Sequence, residues 1–250
     1  MSVEVRSADG VAEVVIDFPP VNALPVRGWH ELADAVTAAG AGARAVILAA
    51  EGRGFCAGVD IKEIQRSQGQ QGGHEALVGA NSGCFAAFAA VYDCPVPVIA
   101  AVHGFCLGGG VGLAGNADIV IAAEDATFGL PEVDRGALGA ATHLARLVPQ
   151  PLMRAMVYTC RTVTARQLLA FGTVLEVVPR AGLRAAARRL AEEIAAKDPQ
   201  VIRLAKQSLN GIDPMDVKRS YRYEQGFTFE LTLGGAGDQA RQAFVDGKNT

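Results

Sequence analysis

The 250-residue chain is long enough to bury a real core, as one larger α/β domain or as a domain with an appendage. Half of it is hydrophobic and 20% charged, as in globular proteins, and a net charge of −3 gives no general basic footprint for nucleic acid, leaving only local patches open. Five scattered cysteines, odd in number and never in C-x-x-C spacing, suggest neither a disulfide framework nor a zinc site and fit a reducing cytosol; the first residues carry no apolar signal core, and no segment reaches the roughly 18 apolar residues of a membrane span.

Residues 11–18 alternate and then run apolar, reading as a strand after the Asp9-Gly10 turn that Pro19-Pro20 stops. Trp29, Leu32, Ala33 and Val36 fall at helical spacing in a helix over 26–39, closed by Gly40 and Gly42. A buried-type strand over 44–50 leads into the loop 51–60. Residues 65–73, rich in Gln, Gly and Ser without apolar periodicity, read as a mobile surface loop or lid. A helix follows over 75–92, a strand over 97–102, a glycine turn with a small-residue helix starting near Gly110, and a strand over 118–123. Beyond about Pro149 the patterns are helical, over 152–158, 164–171, 183–197 and 201–210, with only 174–178 strand-like; Thr164 reads as an N-cap and Pro199 as a helix start after Asp198. From Gly234 onward the chain reads as weakly ordered unless a neighbour holds it.

The glycine turn, Gly104-Phe105-Cys106-Leu107-Gly108-Gly109-Gly110-Val111-Gly112, is a place to bind something. Consecutive glycines let a ligand atom reach main-chain N–H groups that have no intrahelical partner, and the helix dipole there favours an anion or an oxygen becoming one. Taken alone, close packing against a sheet explains the run equally well. Gly110 to Gly115 also matches the dinucleotide pattern G-x-G-x-x-G, but the run at Asp118 begins too soon to leave room for a crossover helix, and no Gly-Lys-Ser/Thr of a P-loop follows.

Three segments in order, Gly54-Phe55-Cys56-Ala57-Gly58-Val59-Asp60-Ile61-Lys62, the glycine turn, and Ala126-Thr127-Phe128-Gly129-Leu130-Pro131-Glu132-Val133, together with Asn22-Ala23-Leu24, resemble the crotonase (enoyl-CoA hydratase/isomerase) family over essentially the whole chain. The resemblance implies an α/β fold, a crotonase-like spiral of ββα units over residues 1–190, followed by a C-terminal helical oligomerisation region over 191–250 that builds a homotrimer or a dimer of trimers. It also implies an acyl-CoA thioester substrate, with coenzyme A as part of that substrate and no other cofactor or metal. By position in the motifs, the backbone N–H groups of Val59 and Gly109 would hold the thioester oxygen as it becomes an enolate, and Asn22, Ala23, Leu24, Ala57, Asp60 and Ile61 would contact coenzyme A. Preorganised donors of this kind are typically worth about 2.7–4 kcal/mol each.

Departures from the family pattern bear on the reaction. Hydratases of the family use two glutamates; here the first position is Gly112 and only Glu132 remains, which speaks against ordinary hydration. The following segment, residues 134–143, is shorter than the family's glycine-rich loop and brings in Asp134 and His143. If 132–134 were extended, the Glu132 and Asp134 side chains would share a face and raise one another's pKa, as a general base near neutrality requires. An ion pair is an equal account of Asp134, and helix packing the favoured one of His143. His103 reads as support for the strand end, Glu124 and Asp125 as a solvated turn, and Cys56 and Cys106 as inert packing. Within the family, Gly112, the segment 129–139 and the segment 220–230 resemble hydrolases that open a carbocyclic ring of a bicyclic dioxo-indene carboxyl-CoA in steroid breakdown. The expected chemistry is a vinylogous retro-Claisen hydrolysis, with Glu132 as the base and Asp134 or His143 assisting. The rivals are a hydratase or isomerase with one glutamate, a non-catalytic acyl-CoA binding protein, and an assembly with a structural role.

Overall fold

The computed structural model describes residues 2–68, 74–235 and 237–247. Its main sheet has six strands in the order β1 (Ser2–Ala8), β2 (Val11–Asp17), β4 (Ala45–Ala50), β6 (Val98–Val102), β8 (Ile119–Ala123) and β11 (Glu176–Val178). The β1–β2 pair is antiparallel and every other neighbour parallel. A second sheet runs β10 (Val163–Thr164), β9 (Thr127–Gly129), β7 (Phe105–Leu107), and a parallel two-stranded ribbon joins β3 (Ala23–Leu24) to β5 (Gly58–Val59). The helices are α1 (Val26–Gly42), α2 (Ile61–Gln68), α3 (Glu75–Tyr92), α4 (Gly109–Asn116), α5 (Ala141–Leu144), α6 (Gln150–Thr159), α7 (Ala165–Phe171), α8 (Leu183–Ala195), α9 (Pro199–Gly211), α10 (Val217–Leu233) and α11 (Asp238–Val245).

The central strands are apolar without a break because both faces are covered, as parallel sheets require. On one face Val46, Leu48, Val98, Ala100 and Val102 pack with Trp29, Leu32 and Val36 of α1 and Phe88 and Val91 of α3. On the other, Ile47, Ala49, Ile99, Ala101 and Ile121 pack against Leu183, Ala186, Ala187, Ala191 and Ala195 of α8. Those five positions recur at helical spacing, and four of them are alanines that let the helix lie close to the sheet.

Several expectations are corrected. A division at residue 190/191 falls inside α8, whose buried residues on both sides of it pack on the same sheet face, so this cover of the core runs on to Ala195. No helix follows Gly115 before β8, but none is needed: β6 and β8 are parallel neighbours joined through β7 and α4, so the short glycine-opened helix is itself the crossover. Residues 65–68 of the expected loop continue α2, whose start Asp60 caps by accepting from the Lys62 N–H at 3.0 Å; 69–73 lie outside the described residues. Within the tail after Gly234, Asp238–Val245 form α11, held by the side chain of Arg241, which donates to the Gly136 carbonyl at 3.0 Å; 236 and 248–250 lie outside the described residues. The Thr164 capping box and the Asp198–Pro199 helix start are as expected.

Candidate active site

The site forms where the three motif segments cross. The Phe55 N–H donates to the carbonyls of His103 (2.9 Å) and Phe105 (3.0 Å), and the Leu107 N–H donates to the Cys56 carbonyl at 2.8 Å, so the first motif lies alongside the glycine turn. Gly104, at φ +59°, is required where they meet, because a Cβ there would collide with the Arg53 carbonyl. The Gly108 N–H donates to the Gly129 carbonyl at 3.0 Å, which brings in the third motif.

Gly58 sits at φ +88°, and a Cβ on it would stand 3.1 Å from the Gly109 nitrogen, so the two proposed donors occupy adjoining backbone. In the β3–β5 ladder Leu24 accepts from the Asp60 N–H at 2.9 Å; parallel pairing skips the residue between its bonds, and the Val59 N–H is left facing away from β3. Gly109, the first residue of α4, has no intrahelical acceptor for its N–H. Two donors at the meeting of β5 and α4 can receive one oxygen.

The same ribbon gathers the expected coenzyme A segments. Ala23 pairs with Gly58 and Leu24 with Val59, the Ala57 N–H donates to the Asn22 carbonyl at 3.1 Å, and Asp60 and Ile61 begin α2. The Asn22 side chain is fully used as a brace. Its oxygen accepts from the Phe18 N–H at 2.7 Å, and its nitrogen donates to the Glu51 and Gly54 carbonyls at 2.8 and 2.9 Å.

Glu132 folds back over Gly108. A Cβ at Gly108 would lie 2.5 Å from Glu132 Oε1, so the carboxylate sits directly over this residue, whose φ of +55° itself favours glycine. Glu132 Oε2 is buried without a hydrogen-bond partner among the described residues. Burial raises its pKa to about 8; Glu224 pushes the same way and Arg135 opposes. A carboxyl that titrates near neutrality can take a proton from water and return it.

Asp134 does not join it. Residues 133–135 form a 3₁₀ turn and Glu132 itself has helical dihedrals, φ −61° and ψ −41°, so the two side chains do not share a strand face; Asp134 is exposed and lies against Cys160. The nearby second carboxylate is Glu224 of α10, which accepts from the Ala141 and Thr142 N–H groups at 2.8 and 3.1 Å. His143 is likewise no base. It is buried against Phe88 and Tyr221, with ring centroids 4.9 and 4.8 Å away, and Nδ1 accepts from Asn116 Nδ2 at 2.9 Å. Burial, with Arg146 adding to it, lowers its pKa to about 3, so the ring is neutral and weakly basic.

Gly112 has a positive role. A Cβ there would run into the Phe88 ring, 2.5 Å from Cε2, so the aromatic ring fills the space a second catalytic side chain would need. Phe88 in turn meets Trp29 edge to face at 5.7 Å and Tyr221 at 5.2 Å. Sequence reasoning assigned no site role to Phe88, Trp29 or Glu224, which lie on helices far apart in the chain, although Glu224 falls in the segment 220–230 that resembles the ring hydrolases and Trp29 is read among the apolar positions of the helix over 26–39. His103 supports the strand end as expected, with Nε2 3.2 Å from the Gly52 carbonyl, and Glu124 and Asp125 form an exposed turn paired with Arg166 and Arg180. Cys56 and Cys106 are buried thiols, that of Cys56 pushed up to about 12 by burial.

The chain belongs to the enoyl-CoA hydratase/isomerase family, which matches residues 6–242, and it is a crotonase-family enzyme for an acyl-CoA substrate. It is 64% identical over 240 residues, 95% of this chain and 92% of the relative, to a Rhodococcus jostii protein named (7aS)-7a-methyl-1,5-dioxo-2,3,5,6,7,7a-hexahydro-1H-indene-carboxyl-CoA hydrolase. A Mycobacterium tuberculosis protein of the same name is 64% identical over 238 residues, covering 94% of this chain and 95% of the relative. Among solved structures, an enoyl-CoA hydratase/isomerase from Xanthobacter autotrophicus Py2 superposes with a TM-score of 0.87 at 30% identity, covering 98% of this chain and 92% of that one.

Proposed function

We propose that the protein hydrolyses a ring C–C bond of a bicyclic dioxo-indene carboxyl-CoA in steroid breakdown, by a vinylogous retro-Claisen reaction. The observation that carries this reading is the Phe88 ring in the space beside Gly112, which leaves Glu132 as the one carboxylate over the glycine turn. The names of the two relatives at 64% identity support the same substrate.

In this reading the Glu132 carboxylate takes a proton from water as the water oxygen adds to the ring ketone carbon. The resulting alkoxide collapses to a carboxylic acid and the ring C–C bond breaks. Its electron pair passes through the conjugated double bond to the thioester oxygen, held by the Val59 and Gly109 N–H groups, and Glu132 returns the proton to carbon. One water is consumed and the oxidation of the ketone carbon is balanced by reduction of the carbon that leaves it, so the reaction is redox-neutral and calls on no redox cofactor. Coenzyme A would lie along the β3–β5 ribbon, near Ala23, Leu24, Ala57, Asp60 and Ile61. Exposed Val201, Leu204, Leu209 and Ile212 on and just after α9 support assembly of copies, in line with a homotrimer or a dimer of trimers. No helix among the described residues is long and apolar enough to cross a membrane, and the cytoplasm remains the proposed location.

The test is mass spectrometry of the products in ¹⁸O-water, from crotonyl-CoA and from the bicyclic thioester separately. Gain of one labelled water as a new carboxylate, on the bicyclic compound alone, is the expected result. Hydration of crotonyl-CoA would instead mark a one-glutamate hydratase.

A further inference from the structure

The proposed reaction places negative charge on two oxygens in succession, first on the attacked ketone and then on the thioester. The Val59 and Gly109 N–H groups account for the second. We infer that the first is served by Trp29, whose indole N–H donates to the ring ketone oxygen and stabilises the alkoxide formed when water adds; this rests on the ring-hydrolase reading above.

Three observations place the donor. Trp29 is wholly buried, and its Nε1 has no hydrogen-bond partner among the described residues. A buried N–H without an acceptor is rare and asks for one. The six-membered ring of the same indole packs against the site: a Cβ on Gly109 would stand 2.5 Å from Cη2, 2.8 Å from Cζ2, which is two bonds from Nε1, and 3.5 Å from the Gly58 Cα. Finally, Glu132 Oε2, the other buried unpartnered atom of the site, belongs to the carboxylate set over Gly108. The Trp29 indole and the Glu132 carboxylate thus flank the same pair of glycines, and each carries one buried polar atom without a partner among the described residues. This is the complement a ketone and its attacking water present, an oxygen gaining charge and a proton being lost.

Step by step, Glu132 removes a proton from water, the water oxygen bonds to the ketone carbon, and the C=O π pair moves onto the ketone oxygen, where the Trp29 N–H meets it. As that pair re-forms the C=O bond, the ring C–C pair leaves toward the thioester oxygen. The Trp29 proton is never transferred.

Trp29 is the only tryptophan in the chain, so ¹⁵N-indole labelling gives a single indole signal. In Glu132→Gln protein, saturation with the bicyclic thioester should move that proton downfield, and coenzyme A alone should not. In parallel, Trp29→Phe should lower kcat for ring opening by about 10²-fold with KM changed less than threefold. A signal that stays where it was on saturation, as an N–H held by the face of the Phe88 ring would give, overturns the assignment even if Trp29→Phe fails to fold. So does Trp29→Phe with unchanged kcat. If the wild-type protein hydrates crotonyl-CoA and leaves the bicyclic ring closed, the underlying reading fails; if it opens the ring and the indole signal does not respond, only the role of Trp29 fails.

Discussion

The two sides of the site are built in opposite ways. The floor, where Gly58, Val59 and Gly108 to Gly110 meet, consists of backbone held by backbone, and its residues lie in two short stretches joined through β5, β7 and α4. The roof, from Glu132 to α5, is held by side chains that arrive from some 80 to 110 residues further along. Thr228 donates to the Leu138 carbonyl, Glu224 accepts from Ala141 and Thr142, Arg241 donates to the Gly136 carbonyl, and the Arg135 guanidinium lies 4.0 Å over the Phe244 ring. Gly136, at φ +61°, permits this contact, since a Cβ there would collide with the Gly237 backbone. A floor of main-chain dipoles can stabilise charge on a substrate oxygen whatever side chains surround it. In the proposed reaction the roof carries the proton chemistry, and that calls for a side chain at a set depth of burial.

The strongest break in this comparison is to remove the proposed base, Glu132, while keeping its shape. Glu132→Gln should lower ring opening by about 10³-fold and leave thioester binding within threefold, measured by steady-state turnover and calorimetric titration. The same variant tests the electrostatics. A carboxyl whose pKa rises from about 4.5 unfolded to about 8 folded binds its proton more tightly in the native state, so wild-type stability falls as pH rises through that window. Glu132→Gln should therefore melt above the wild type at pH 8, with the gap closing toward pH 5, while wild-type kcat/KM should climb with pH up to about 8 and then level.

Next in size is the floor helix. Gly112→Glu must displace the Phe88 ring, so it should destabilise the protein by about 1–3 kcal/mol in urea titrations and still fail to hydrate crotonyl-CoA. A folded, hydrating Gly112→Glu protein would mean that Phe88 gives way readily. Loosening the roof is expected to do less: Arg241→Ala frees the Gly136 carbonyl and should reduce kcat about tenfold, with faster amide exchange over 136–142 and unchanged exchange over 109–116. The smallest effect belongs to Asp134→Asn, an exposed change on a turn that points away from Glu132, which should keep turnover within twofold.

Most of the floor was readable before any coordinates. A run of glycines after a β-branched stretch announces open N–H groups, since no other residue leaves main chain so accessible, and the apolar runs at 44–50, 97–102 and 118–123 announce strands covered on both faces. The same local reading fails wherever a partner is distant. Extended backbone at 132–134 would set Asp134 beside Glu132, but the chain turns helically at 132, and burial is the main cause that raises the Glu132 pKa. His143 carries no local sign that Phe88 and Tyr221 enclose it and hold it neutral. The α11 helix looks too polar to hold by itself, and it is ordered by Arg241 and by the packing of Gly237 on Gly136.

What the sequence determined by itself was the class of the fold, the place of the glycine turn and the identity of its one carboxylate, because those depend on residue type and short spacing. Only the tertiary structure decided that Phe88 fills the space over Gly112, that Trp29, whose indole N–H has no partner among the described residues, packs on Gly109, and that Glu224 lies near enough to Glu132 to raise its pKa. These depend on burial and on contacts between helices remote in the chain, and burial is a property of the folded whole.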